Sequence, residues 1–174
     1  MARSPLEASR LTTGSTSPTG TTSTCIRITN IGRVVKNCVQ SNARALVARL
    51  AEVAHTQAVE IGVGRRPAVA AALADRGVTV VATDVHDRSV PETVQFVRDD
   101  VTAPRRSVYA GTDIVYARNL PPELHRPTVA LARAHNAVCL FTTLGQDSPV
   151  VPVERTQLPA ETLFLARAQT QSGE

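Results

Sequence analysis

"VEIGVGRRPAVAAALADRGVTVVATD", Val59 to Asp84, is the stretch whose reading decides the fold. With the preceding Ala58, "AVEIGV" predicts a short buried strand, and "PAVAAALADRG" predicts a helix with Pro67 in its first turn and Gly77 as its stop. "VTVVATD" is a second β-branched run, ending at Asp84. Strand, glycine turn, helix and strand within about thirty residues make a βαβ unit, whose right-handed crossover gives a parallel pair. The ligand crevice of such a sheet lies at the carboxyl ends of its strands, and Glu60, Gly62, Gly64 and Asp84 all fall there.

Two glycines let the backbone approach a ligand closely. Asp84, twenty residues beyond Gly64, stands where a carboxylate accepts hydrogen bonds from both hydroxyls of a ribose. The bland alternative is a tight turn followed by a solvated acid. A dinucleotide fingerprint wants a third glycine where Pro67 stands. Glu60, just before the turn, would repel a pyrophosphate charge at about 6 Å by roughly 3 kcal/mol at an effective dielectric near 20. It would attract a cationic group instead. Arg65 and Arg66 either neutralise Glu60, hold an anion, or are solvated charges at a helix start.

"VEIGVG", the strand ending in Asp84 and the later "RDDV" resemble motifs of class I S-adenosylmethionine-dependent methyltransferases. From the glycine turn through "YARNLPPELH" the chain is similar to a small archaeal family of uncharacterised proteins with a reduced form of that fold, over roughly residues 42 to 168. The resemblance implies that Glu60, Gly62 and Gly64 line the methionine end of S-adenosylmethionine. It also implies that Asp84 holds the ribose and that Asp99 or Asp100 approaches the adenine amino group. Arg66 departs from the pattern, because many methyltransferases have a further glycine there, and its side chain is expected to crowd the pocket.

Downstream, "TVQFV", "TDIVYA" and "NAVCLFTTL" are further strand candidates. "VVPVERT" and "ETLFLARA" predict a closing antiparallel hairpin. The expected fold is a single three-layer, Rossmann-like α/β domain, with a mostly parallel sheet of about seven strands and a C-terminal antiparallel hairpin. "RNLPPELH" is delivered to the rim of that sheet. Asn119 before Pro121 and Pro122 is similar to the Asn or Asp that holds a target amine in amine methyltransferases, although Leu120 intervenes. Tyr116, Arg118, Asn119, Glu123 and His125 form the densest polar cluster of the rim in sequence. Asn119 and His125 are the catalytic candidates; Tyr116, Arg118 and Glu123 would line the substrate side. The competing reading of His125 is an exposed helix residue. Pro127 places the start of its helix as late as Arg126.

Composition bounds the rest. With 174 residues, one ordinary core is expected, built from Val, Ala and Leu because aromatics are 3%. "LTTGSTSPTGTTST" cannot offset the entropy of ordering, so residues 1–38 are expected to be disordered. A transit peptide, or a start placed upstream of the true one, would also account for that segment. The domain then spans 39–170, with 171–174 as a tail. The net charge of +4 resides in the first forty residues, leaving a formally neutral body that advertises no nucleic-acid face. Cys25, Cys38 and Cys139 lack metal spacing, and Cys139 reads as a small buried hydrophobe. No apolar run is long enough for a membrane span, and a soluble cytoplasmic protein is expected. Three functions fit: an S-adenosylmethionine-binding methyltransferase acting on a small molecule or RNA, a non-catalytic cofactor-binding or regulatory module, and, third, a nicotinamide-type oxidoreductase.

Overall fold

The computed structural model describes residues 41–145 and 147–167. The expectations for segments 1–38 and 171–174 fall outside the described residues. Helices α1 (Ser41–Ala51), α2 (Ala68–Ala74) and α3 (Pro122–Ala134) accompany seven strands: β1 (Gln57–Ile61), β2 (Thr79–Asp84), β3 (Gln95–Arg98), β4 (Ile114–Ala117), β5 (Val138–Phe141), β6 (Val153–Gln157) and β7 (Thr162–Ala166). Their order across the sheet is β3-β2-β1-β4-β5-β7-β6. The first five are parallel; β7 runs antiparallel to both β5 and β6, giving the closing hairpin.

Strand alternation divides the core into two layers. Ala58, Val80, Ala82, Ile114, Tyr116 and Leu140 face the side covered by α1 and α2. Val59, Val81, Val115, Cys139 and Phe141 face the side where α3 packs through Val129, Leu131 and Ala132. On α1 the periodicity places the apolar stripe on Ala45, Leu46, Arg49, Leu50 and Val53. The buried face is instead Ala43, Leu46, Val47, Leu50 and Ala54, while Arg49 pairs with Glu52 in solvent. The buried face is rotated so that Arg49 falls on the solvent side, next to fully buried Leu50.

The α2 helix ends as its sequence requires. Gly77 takes φ +88°, a left-handed conformation that costs glycine little, and Val78 N–H donates back to the Leu73 carbonyl. The α3 helix starts one turn earlier than a break at Pro127 implies. Pro122 occupies the first turn, where its missing N–H costs nothing, and Leu124 N–H closes onto the Pro121 carbonyl. Pro127 lies inside the helix, where it removes the hydrogen bond to the carbonyl of exposed Glu123. No helix of the described residues is long and apolar enough to cross a membrane.

Candidate functional site

The parallel strands direct their carboxyl ends to one rim, and β1 is central. The turn after β1 is therefore flanked by β2 on one side and β4 on the other. Gly62 and Gly64 adopt φ +67° and +60°. Side chains there would be strained, yet the space above them is open: nothing lies within 4 Å of a Cβ built on Gly62, and for Gly64 the nearest atom is the Gly62 carbonyl oxygen at 3.9 Å. The turn is laced to β2 by Val63 N–H donating to the Thr83 carbonyl (3.0 Å) and by Gly64 N–H donating to Asp84 Oδ2 (3.0 Å).

Asp84 also accepts from His86 N–H at 2.9 Å and pairs with Arg88, whose Nε stands 3.1 Å from Oδ2. Burial pushes its pKa up, but Arg88 and the two backbone N–H groups outweigh that and hold it below the ordinary value. Arg88 carries no signal in the sequence, since a loop arginine four residues past a strand end is commonplace.

Glu60 is 1% exposed and lies beneath the turn. The β1–β4 register sets it opposite Tyr116, whose hydroxyl donates to Glu60 Oε2 at 2.9 Å. Burial raises the Glu60 carboxyl to about 7, against the opposing effects of the Tyr116 hydrogen bond and the Arg118 charge. Tyr116 is itself buried and its pKa is raised well above the ordinary value by desolvation and by Glu60. It is thus a fixed donor within the core and does not line a substrate surface. Arg65 and Arg66 are both exposed, and the cation that acts on Glu60 is Arg118. The repulsion of a pyrophosphate by Glu60 therefore applies only to the ionised fraction of the carboxyl.

Beyond β2 and β3 lies an open depression of about 650 Å³ lined by Val85, Asp99, Asp100 and Arg105. Asp99 is buried and engaged at both oxygens: Tyr109 donates its hydroxyl at 2.7 Å and Arg105 its backbone N–H at 3.1 Å. Asp100 is exposed and closes a local turn onto Thr102. Val85, half exposed beside them, is a residue that sequence reasoning misses; an exposed aliphatic residue directly after a strand-ending acid is the available signal.

On the opposite flank, the ends of β4 and β5 and the β6–β7 hairpin enclose a cleft of about 620 Å³. Arg118 and Asn119 both line it, as does Arg66, which borders the cleft without closing over the glycine turn's open space. Asn119 takes φ +51°, a conformation Asn tolerates, and its N–H donates to Thr142 Oγ1 at 3.0 Å. Glu123 is exposed on the first turn of α3 and lines neither hollow.

His125 departs from both expectations. It is fully buried, with Nε2 donating to the Leu120 carbonyl (3.1 Å) and Nδ1 accepting from Val150 N–H (3.2 Å). Its ring lies 4.6 Å from that of Phe141. Neither nitrogen is left to take a proton from a substrate; the residue ties the strand-to-helix bend to the loop before β6. It falls on the buried face of α3 with Thr128, Val129 and Ala132, a periodicity visible once the helix starts at Pro122.

The profile of the uncharacterised protein family UPF0146 matches residues 42–169. A UPF0146 protein of Halobacterium salinarum is 56% identical over 115 residues, 66% of this chain and 89% of the relative. One from Archaeoglobus fulgidus is 43% identical over 98 residues, 56% of this chain and 75% of that protein. Among solved structures, magnesium protoporphyrin IX methyltransferase from Synechocystis, with bound SAM, superposes with a TM-score of 0.53 at 13% identity, covering 72% of this chain and 78% of that one. The fold is that of the class I methyltransferases.

Proposed function

We propose that this chain, which belongs to the uncharacterised protein family UPF0146, binds S-adenosylmethionine along its strand-end rim and methylates a small molecule held in the Arg118–Asn119 cleft. The observation that carries this reading is the Gly62–Gly64 turn: both glycines are left-handed, the space over them is open, and one N–H is pinned to Asp84. Order in the sheet sets this turn between the Val85 depression and the Arg118 cleft, the sequence of features an elongated nucleoside with an amino-acid tail requires.

The residues present fit such a ligand. A carboxylate has about four lone-pair sites, and three at Asp84 are taken by Gly64, His86 and Arg88. Outward rotation of Arg88 leaves Asp84 able to accept from both ribose hydroxyls. Val85 offers an apolar surface for a base, and Glu60, beneath the turn, favours the cationic methionine end. When bound, the cofactor supplies a sulfonium methyl group, whose transfer requires an acceptor lone pair in line. Arg118 and Asn119 orient that acceptor, and Arg118 maintains the field around Glu60.

A second reading, a binding module without chemistry, is favoured by the engagement of His125 and Tyr116 inside the protein. Calorimetric titration of the full chain with S-adenosylmethionine, S-adenosylhomocysteine and NADH tests the proposal. Micromolar binding of the first two, about −8 kcal/mol, that disappears in Asp84→Ala is expected. Preference for NADH, or no saturable binding, overturns it. Loss of methylated product in Asn119→Ala with cofactor binding retained separates the enzyme from the module.

A further inference from the structure

The rim cleft carries a charge pattern that the cofactor reading does not use. Arg66, Arg118 and Arg155 all line it, drawn from the start of α2, the end of β4 and the outer hairpin strand. Among the described residues none of the three has a carboxylate within 4.0 Å. Arg118 Nε is buried without a hydrogen-bond partner, an arrangement that costs free energy unless a ligand or solvent relieves it. The Arg155 guanidinium is held over the Phe164 ring, 5.7 Å from its centroid, which leaves its in-plane N–H groups free to donate.

We propose that this cleft binds the oxyanion of a small acidic substrate, with half-buried Arg118 as the inner anchor and Arg66 and Arg155 as outer donors. The inference rests on the reading of the cleft as the substrate side of the site. Asp147 and Glu161 also line it, from the loop after β5 and from the hairpin turn, so three guanidiniums face two carboxylates. A fork of planar donors matches phosphate or carboxylate, the two chemistries this arrangement accepts. A polyanion is disfavoured, because outside the first forty residues the chain is formally neutral.

The test is titration of the full chain with pyrophosphate, citrate and, as a neutral control, glycerol. The first two distinguish a phosphoryl from a carboxylate source. One anion is expected to saturate while glycerol does not. Arg118→Gln should weaken it roughly tenfold or more, and Arg155→Gln, at an exposed position that spares the fold, by several-fold. S-adenosylmethionine affinity should be unchanged in Arg155→Gln. The proposal is overturned if neither anion saturates, if both variants bind the anion like the parent, or if a short RNA binds more tightly than either anion and is indifferent to the substitutions. The cofactor reading fails separately: S-adenosylmethionine that does not bind a chain still binding the anion removes the former and leaves the latter.

Discussion

Replacing Glu60 by glutamine isolates the largest buried electrostatic feature of the site. Glu60 is raised from the ordinary 4.5 to about 7, so between those values the folded chain holds a proton that the unfolded chain has released. Stability therefore falls as pH climbs through that window, and the loss is complete once pH exceeds the folded value. The interval corresponds to about 3 kcal/mol, most of which falls between pH 5 and pH 8. The amide of the Glu60→Gln variant carries no proton equilibrium, and its oxygen can accept the Tyr116 hydroxyl in place of Oε2. Whatever Glu60→Gln does to stability at pH 5, the difference should move in favour of the variant by about 2–3 kcal/mol at pH 8; every other titrating group cancels in the comparison. Urea denaturation followed by far-ultraviolet circular dichroism is the assay, since the chain has no tryptophan. A gap between variant and parent that stays constant to within ~0.5 kcal/mol from pH 5 to pH 8 refutes the burial argument.

Gly64→Ala should cost about 1–2 kcal/mol for a left-handed alanine, and should weaken S-adenosylmethionine binding more than tenfold, because the added methyl enters the open space over the turn; unchanged affinity by calorimetry would count against the turn as a binding element. Asp113, at the opposite end of the sheet, accepts from the backbone N–H groups of Thr56, Gln57 and His55 and from the Thr56 hydroxyl. Asp113→Ala should lower stability by about 2 kcal/mol. The Thr56 N–H, followed by the other donors and against a smaller effect of burial, holds this carboxyl below the ordinary 3.8, so its contribution is complete above that pH and is lost as pH falls through the folded value. Thermal melts of parent and variant should converge in that acid range. His125→Ala removes two internal hydrogen bonds and leaves a cavity, at about 3 kcal/mol; a shift in the urea midpoint too small to measure would restore the exposed-residue reading.

Legibility in the sequence follows the range of each interaction. The strands are readable because a buried parallel strand is a continuous β-branched run, and the turn because Gly62, Gly64 and Asp84 sit at fixed offsets along one βαβ unit. What escapes such a reading depends on partners distant in the chain. The Glu60–Tyr116 contact joins residues 56 apart and arises from the register of β1 against β4, which no local pattern encodes. His125 is misplaced because Pro127 argues locally for a later helix start, while Pro122 and the Pro121 carbonyl supply an earlier one. Arg155 and Phe164 fall in the expected hairpin, but that the hairpin's face walls a cleft follows only from β7 docking onto β5. Arg88 and Arg105 act on acids of the rim through loops, where sequence spacing gives no direction.

The same separation bears on the order in which the chain takes shape. The β6–β7 hairpin links strands only a few residues apart and can close within microseconds, whereas β1 must wait for β4 to be synthesised and brought across a loop of some fifty residues. On the ribosome the glycine turn emerges long before Tyr116, Arg118 and the cleft that borders it. Until then Glu60 has neither its hydroxyl partner nor its cover, and remains an ordinary ionised acid in water. A nascent chain released before Tyr116 would carry the signature of a nucleoside site without its buried floor or its substrate wall.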